Sequence, residues 1–171
     1  MNTSFDRVSD GKDEWLTPKY ITDFIQADLD PCSPGDRRPW DTAKIHLSLP
    51  IDGLTAEWHG LVFCNPPYGT ETYKWLGKCA DHGNTVALIF ARTETNGFHT
   101  QVWDKATSLF FFKGRLSFHH VSGKQGDSAG APSVLIAYGS IADDRIQAFS
   151  KQYDGRYIRL EHEPKPQLEL F

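Results

Sequence analysis

The 171-residue sequence predicts one α/β domain built on a mostly parallel sheet. Three observations lead there. Strand-sized apolar runs alternate with segments of helical periodicity, the pattern of a sheet covered by helices. Residues 61–64 (Leu-Val-Phe-Cys) and 85–91 (Thr-Val-Ala-Leu-Ile-Phe-Ala) are nearly continuous apolar runs, as in strands buried on both faces. The length suits a single core, and 39% hydrophobic residues with 13% aromatics describe a globular chain.

The elements follow in order. Residues 1–12 are polar and read as a loose N-terminal segment before a domain over residues 13–160. Thr17-Pro18 starts a helix, with Thr17 as N-cap and Pro18 at the first helical position; Tyr20, Ile21, Phe24 and Ile25 then share a face. Leu29-Asp30-Pro31 ends a short strand, and a Pro/Gly-rich loop runs through residues 32–40. After the strand at 61–64, residues 71–80 form a helix with Tyr73, Leu76 and Ala80 on one face. Residues 85–91 are the clearest buried strand. Residues 98–105 are helical, 109–113 and 133–138 are strands, 145–151 is a short helix and 157–160 an edge strand. The Gly/Ser-rich stretch 117–131 is either a flexible connector or a loop ordered by substrate. No internal repeat interrupts this order.

Composition excludes several classes. Met1 is followed by polar residues rather than a secretory signal, and no apolar run approaches a membrane span. Cys32, Cys64 and Cys79 lack CxxC spacing, so neither a disulfide framework nor a structural zinc site is expected, and the expected setting is a reducing cytoplasm. The adjacent His119 and His120 point to opposite faces of a strand, a poor arrangement for chelation, and no metal is expected. A net charge of −4 argues against tight nonspecific binding to nucleic acid. It leaves room for a local basic groove, because Arg92, Lys105, Lys113, Arg115 and Lys124 gather in the second half.

Asn65-Pro66-Pro67-Tyr68 carries the chemistry. A planar amine such as that of adenine is a poor nucleophile, because its lone pair is delocalised into the ring. A site restores the lone pair by accepting both N–H hydrogens, one at the Asn65 side-chain oxygen and one at a backbone carbonyl. Pro66 and Pro67 have fixed φ and no N–H, so the Pro66 carbonyl is presented rigidly without a competing local donor. Tyr68 offers an aromatic face for a flat base. No general base is needed before transfer, since methylation acidifies the nitrogen. The tetrapeptide follows a buried strand, at the sheet edge where open α/β folds bind ligands. It reads as an amine methyltransferase site.

Several separated blocks, in order, resemble the phage-type DNA N6-adenine methyltransferase (Dam) family. They are Asp13-Glu14-Trp15-Leu16-Thr17-Pro18, Leu29-Asp30-Pro31-Cys32, Trp58, and Phe63-Cys64-Asn65-Pro66-Pro67-Tyr68-Gly69. Ala91-Arg92-Thr93-Glu94-Thr95, Phe98-His99, Gly114-Arg115-Leu116-Ser117-Phe118 and Ala131-Pro132-Ser133-Val134 complete the series. The resemblance implies a Rossmann-like methyltransferase domain, S-adenosylmethionine as cofactor and transfer to adenine N6 in DNA. It implies catalysis by Asn65, Pro66, Pro67 and Tyr68. It also places Trp15, Thr17, Pro18, Asp30, Pro31 and Cys32 on the cofactor side. The Gly-x-Gly cofactor loop of larger methyltransferases is missing, and Cys32-Ser33-Pro34-Gly35 stands in its place.

Arg92 and Arg115 are the candidates for DNA phosphate or base contact, against the alternative of ion pairs with neighbouring carboxylates. The tail 161–171 reads as an extended linker ending in Gln167-Leu168-Glu169-Leu170-Phe171. That ending resembles the bacterial sliding-clamp binding motif, with Gln167, Leu168, Leu170 and Phe171 as contacts; docking back onto the domain is the alternative. A bacterial host cytoplasm, with phage or prophage origin, is the expected setting. Two other functions stay open on the residues alone. One is methylation of another planar amine, in RNA or a glutamine side chain. The other is a catalytically silent module that binds DNA or the clamp.

Overall fold

The computed structural model describes residues 15–162. In chain order they form β1 (Trp15–Leu16), α1 (Lys19–Ile25), β2 (Ala27–Asp30), β3 (Ala43–His46), β4 (Val62–Cys64), α2 (Thr72–His82) and β5 (Thr85–Phe90). A short α3 (Asn96–Phe98) runs into a π-helical turn, His99–Trp103. Then come β6 (Ser108–Phe112), β7 (Ser117–His120), β8 (Gln125–Ser128), β9 (Ser133–Tyr138), α4 (Ser140–Ser150) and β10 (Gly155–Arg159).

The main sheet has the order β10-β6-β9-β5-β4-β2-β3, and β1-β7-β8 make a second, three-stranded sheet. The main sheet is mixed, and this corrects the mostly parallel expectation. β2 pairs in parallel with β3 and β4, and β4 with β5, but β9 runs antiparallel to both β5 and β6, and β10 antiparallel to β6. β6 therefore points the same way as β2 to β5, and only β9 and β10 are reversed. The cause is connectivity. β9 returns from the β7–β8 hairpin, which needs no helical crossover to reverse direction.

Side-chain alternation sorts the core onto the two faces of this sheet. Val62 and Cys64, Ala87 and Ile89, and Val134, Ile136 and Tyr138 join Trp75, Leu76 and Cys79 of α2 and Phe98 and Val102 beyond it. Phe63, Val86, Leu88, Leu135 and Ala137 join Ile21 and Ile25 of α1 and Ile146 and Phe149 of α4 on the other face. The result is a three-layer α/β/α arrangement in which β5 and β9 are covered on both sides. α2 stops where Gly83 turns left-handed (φ 72°), its N–H returning to the Cys79 carbonyl. At the sheet's other end, the buried Asp143 carboxylate accepts from Ser108, Tyr157 and Arg159, tying α4 to β6 and β10.

Several local expectations change. The face of α2 that is fully buried carries Trp75, Leu76 and Cys79, while Tyr73 and Ala80 are only partly covered. α4 starts five residues before its expected position, and β3 was not expected at all. The stretch 117–131 is a β-hairpin joined to β1, where His119 pairs with Leu16 and His120 with Trp15. Thr17 does not cap α1: Pro18 occupies the cap position, and no side chain closes the first turn.

Candidate active site

The main sheet changes its order of growth at β2. The chain adds β3 on one side of β2 and then returns to place β4 on the other. Open α/β sheets bind ligands at such a switch, outside the carboxyl ends of the two strands. Asp30-Pro31-Cys32 leaves the end of β2, and Asn65-Pro66-Pro67-Tyr68 leaves the end of β4. The topology thus brings two motifs that are more than thirty residues apart in the chain to one crevice.

Asn65 is fixed on one side and open on the other. Its Nδ2 donates to the Thr17 hydroxyl at 3.1 Å, whereas its Oδ1 is shielded from solvent and has no hydrogen-bond partner. Leaving a buried acceptor unmade is costly, and an orphan of this kind calls for an explanation. Pro66 is buried beside it. Tyr68 is stacked on Phe90, the last residue of β5, and its hydroxyl is likewise buried without a partner. Burial pushes the Tyr68 phenol well up, with the Cys64 sulfur adding to the shift. The phenol stays protonated.

Asp30 is buried, with 5% of its surface exposed, and both its oxygens are occupied. Oδ1 accepts the Cys32 N–H at 2.9 Å and Oδ2 accepts the Thr42 hydroxyl, so the carboxylate ties together the two ends of the loop from β2 to β3. Burial raises its pKa to about 6 against the opposing pull of those hydrogen bonds. Under this crevice the three cysteines converge. Cys32 Sγ lies 3.7 Å from Cys64 Sγ, and burial, reinforced by the Cys64 sulfur, holds Cys32 and Cys79 well above the usual thiol range.

The β1–β7–β8 sheet adjoins the crevice through Thr17, which directly follows β1. Trp15 is 49% exposed, lies edge-on to His120 and rests against the Gly126 backbone. Pro18 begins α1. On the opposite face of β7, His119 meets Trp40 edge to face at 5.1 Å, so the two histidines do point apart. Trp40 Nε1 and His119 Nδ1 are both buried without partners. Among the described residues, no cluster of three or more His, Cys, Asp or Glu side chains is arranged to hold a metal.

Arg92 follows the carboxyl end of β5, and Arg115 follows that of β6, which points the same way. One strand separates the two, so about 10 Å divides their origins on the rim that carries Asn65. Both are exposed, and among the described residues neither has an ion-pair partner.

Phe90 and Trp40 escaped the sequence reading, and His119 entered it only as a metal ligand set aside. Phe90 carried a usable signal, as the last residue of a buried strand beside the motif strand. Trp40 and His119 carried none, because the fold brings them together from the β2–β3 loop and β7, far apart in the chain. The tail residues Gln167, Leu168, Leu170 and Phe171 lie outside the described residues.

A family model for DNA N-6-adenine-methyltransferase (Dam) matches residues 6–154. No curated protein matches the chain, and no solved structure does.

Proposed function

The chain belongs to the DNA N-6-adenine-methyltransferase (Dam) family, and from that premise we propose how its residues carry out the reaction. The enzyme methylates adenine N6 in DNA with S-adenosylmethionine as donor. We assign the target amine to Asn65 Oδ1 and the Pro66 carbonyl, which accept its two N–H hydrogens and return the lone pair to nitrogen. The observation that carries this is the Asn65 oxygen, buried and without a partner while the amide nitrogen of the same side chain is held. An incoming N–H satisfies it.

The residues present suit the cofactor. The loop that leaves β2 is braced by Asp30, and Trp40 of that loop and His119 of β7 pack together with buried ring nitrogens that have no partner. Trp15, Pro18, Pro31 and Cys32 complete the cofactor side, the Thr17 hydroxyl being engaged by Asn65 instead, and Asp30 acts there by holding the loop in shape. Bound S-adenosylmethionine supplies an electrophilic methyl on its sulfonium. Tyr68, kept in place by Phe90, stacks on the flipped base. Arg92 and Arg115 hold the DNA backbone. The reading of the sheet as Rossmann-like rests on the shared direction of β2 to β6 and on the switch point at β2.

The test incubates the protein with labelled S-adenosylmethionine and, separately, DNA, RNA and cell lysate. Label in DNA as N6-methyladenine, lost in Asn65→Ala, supports the assignment; undiminished incorporation by Asn65→Ala overturns it. Label in RNA or protein redirects it to another planar amine. The clamp reading of Gln167, Leu168, Leu170 and Phe171 rests on the sequence motif. It is tested by clamp pull-down of the intact chain against a Leu170→Ala/Phe171→Ala variant, where equal recovery sinks it.

A further inference from the structure

We propose that Thr17 is a positioning residue that anchors the Asn65 amide with Oδ1 left for the target amine. The inference rests on the assignment of Asn65 Oδ1 as acceptor and adds the residue that holds it there.

A carboxamide is nearly symmetric in shape, and a half-turn exchanges its oxygen and nitrogen at little steric cost. For this chemistry the two orientations are opposites. Oxygen toward the substrate accepts an N–H hydrogen and enriches the attacking nitrogen. The amide NH2 toward the substrate opposes donor to donor and leaves the lone pair in the ring. The productive orientation has to be held in place.

The Thr17 hydroxyl is placed to do so. It lies 3.1 Å from Nδ2, in a residue only 3% exposed, 48 residues away along the chain. A threonine before proline at a helix start ordinarily accepts from the first-turn N–H groups, yet no side chain caps α1. The hydroxyl is free of that role because the backbone on either side holds it elsewhere. Leu16 is buried and paired with His119 across β1 and β7, and the Pro18 ring fixes the next φ at −50°. Accepting from Nδ2 leaves Oδ1 on the far side of the amide, and Oδ1 is the buried atom without a partner.

Three variants test the role, each measured for kcat, KM for DNA, binding of S-adenosylmethionine in the absence of DNA, and melting temperature. Thr17→Val keeps shape and burial but removes the acceptor. It is expected to lower kcat about tenfold or more, with cofactor affinity and melting temperature near those of the intact protein. Thr17→Ser, which keeps the hydroxyl, is expected to stay within about threefold. Asn65→Ala reports on the parent assignment. If Asn65→Ala is inactive while Thr17→Val turns over at the intact rate, the Thr17 role fails and the Asn65 assignment stands. If Thr17→Val weakens cofactor binding but leaves kcat at saturation unchanged, Thr17 is a cofactor contact and the proposal is overturned. An active Asn65→Ala overturns both.

Discussion

Tyr68 and Phe90 stack nearly parallel, with ring centroids 4.4 Å apart and planes 8° from each other. One residue belongs to the motif after β4 and the other closes β5, so the stack fixes the motif to the neighbouring strand. Phe90→Leu keeps apolar bulk but loses the ring face. It is expected to cost about 1 kcal/mol of stability, and to lower kcat/KM about tenfold as Tyr68 loses its fixed orientation. A kcat/KM equal to that of the intact enzyme would show that Tyr68 is held by other contacts.

Tyr68→Phe separates ring from hydroxyl. The hydroxyl is buried and has no partner, so removing it is expected to be neutral or to stabilise by up to about 1 kcal/mol in denaturant titrations. Because stacking is the role assigned, activity is expected to stay within about threefold, while Tyr68→Ala falls about a hundredfold or more. Loss of activity in Tyr68→Phe would move the role to the hydroxyl.

Asp30 predicts a pH dependence of stability. Its pKa is raised by burial to about 6 in the folded protein, from 3.8 in the unfolded chain. The folded state therefore holds this proton more tightly. The stabilisation is fully present below pH 3.8 and is lost as pH rises through about 6. Its ceiling is about 3 kcal/mol. In Asp30→Asn, which cannot titrate, stability relative to the intact protein is expected to improve between pH 4 and pH 7. Parallel pH curves for the two proteins would contradict the shift.

The Asp143 cluster is expected to matter for stability alone. Asp143→Ala leaves Ser108, Tyr157 and Arg159 without their shared acceptor and is expected to cost about 3 kcal/mol. Arg159→Ala removes a guanidinium whose side chain is 65% exposed and is expected to cost less than about 1 kcal/mol. Turnover at a temperature where both variants are folded is expected to be unchanged. A fall in kcat there would implicate this end of the sheet in catalysis.

Arg92→Ala and Arg115→Ala are expected to weaken DNA binding across sequences. Each is also expected to reduce the slope of log affinity against log salt by about 1, as loss of a phosphate contact does. An unchanged slope would remove that arginine from the interface.

What the sequence revealed followed burial. β5 and β9 are buried along nearly their whole length, and their apolar runs marked them almost to the residue. β3 was invisible because Ala-Lys-Ile-His lies at the sheet edge with Lys44 and Ile45 exposed, so neither alternation nor a continuous run survives there. β7 and β8 were read as a loop because their polar residues gain strand structure from pairing with each other and with β1. A strand's composition does not encode its direction, which is why the reversal of β9 could not be seen. At the site, the motif and its place after β4 were legible. Thr17 was misplaced as a cap because the pairing of Leu16 with His119 and the Pro18 ring hold its hydroxyl away from the first turn, beside Asn65, 48 residues on. The contact of Trp40 with His119 left no pattern along the chain, whereas that of Phe90 with Tyr68 was foreshadowed only by the place of Phe90 at the end of β5.

The central position of β9 governs when this enzyme comes into being during synthesis. Every residue assigned to the crevice precedes residue 133, yet β5 and β6 gain their shared partner only when residues 133–138 have been made. A nascent chain that stops short of them has the residues assigned to catalysis on a β5-β4-β2-β3 sheet with the apolar β5 edge open and β6 unpaired, a state prone to misassociation. Folding therefore waits for a strand that arrives late, and ribosome-bound chains should acquire protease resistance in one step as β9 clears the exit tunnel.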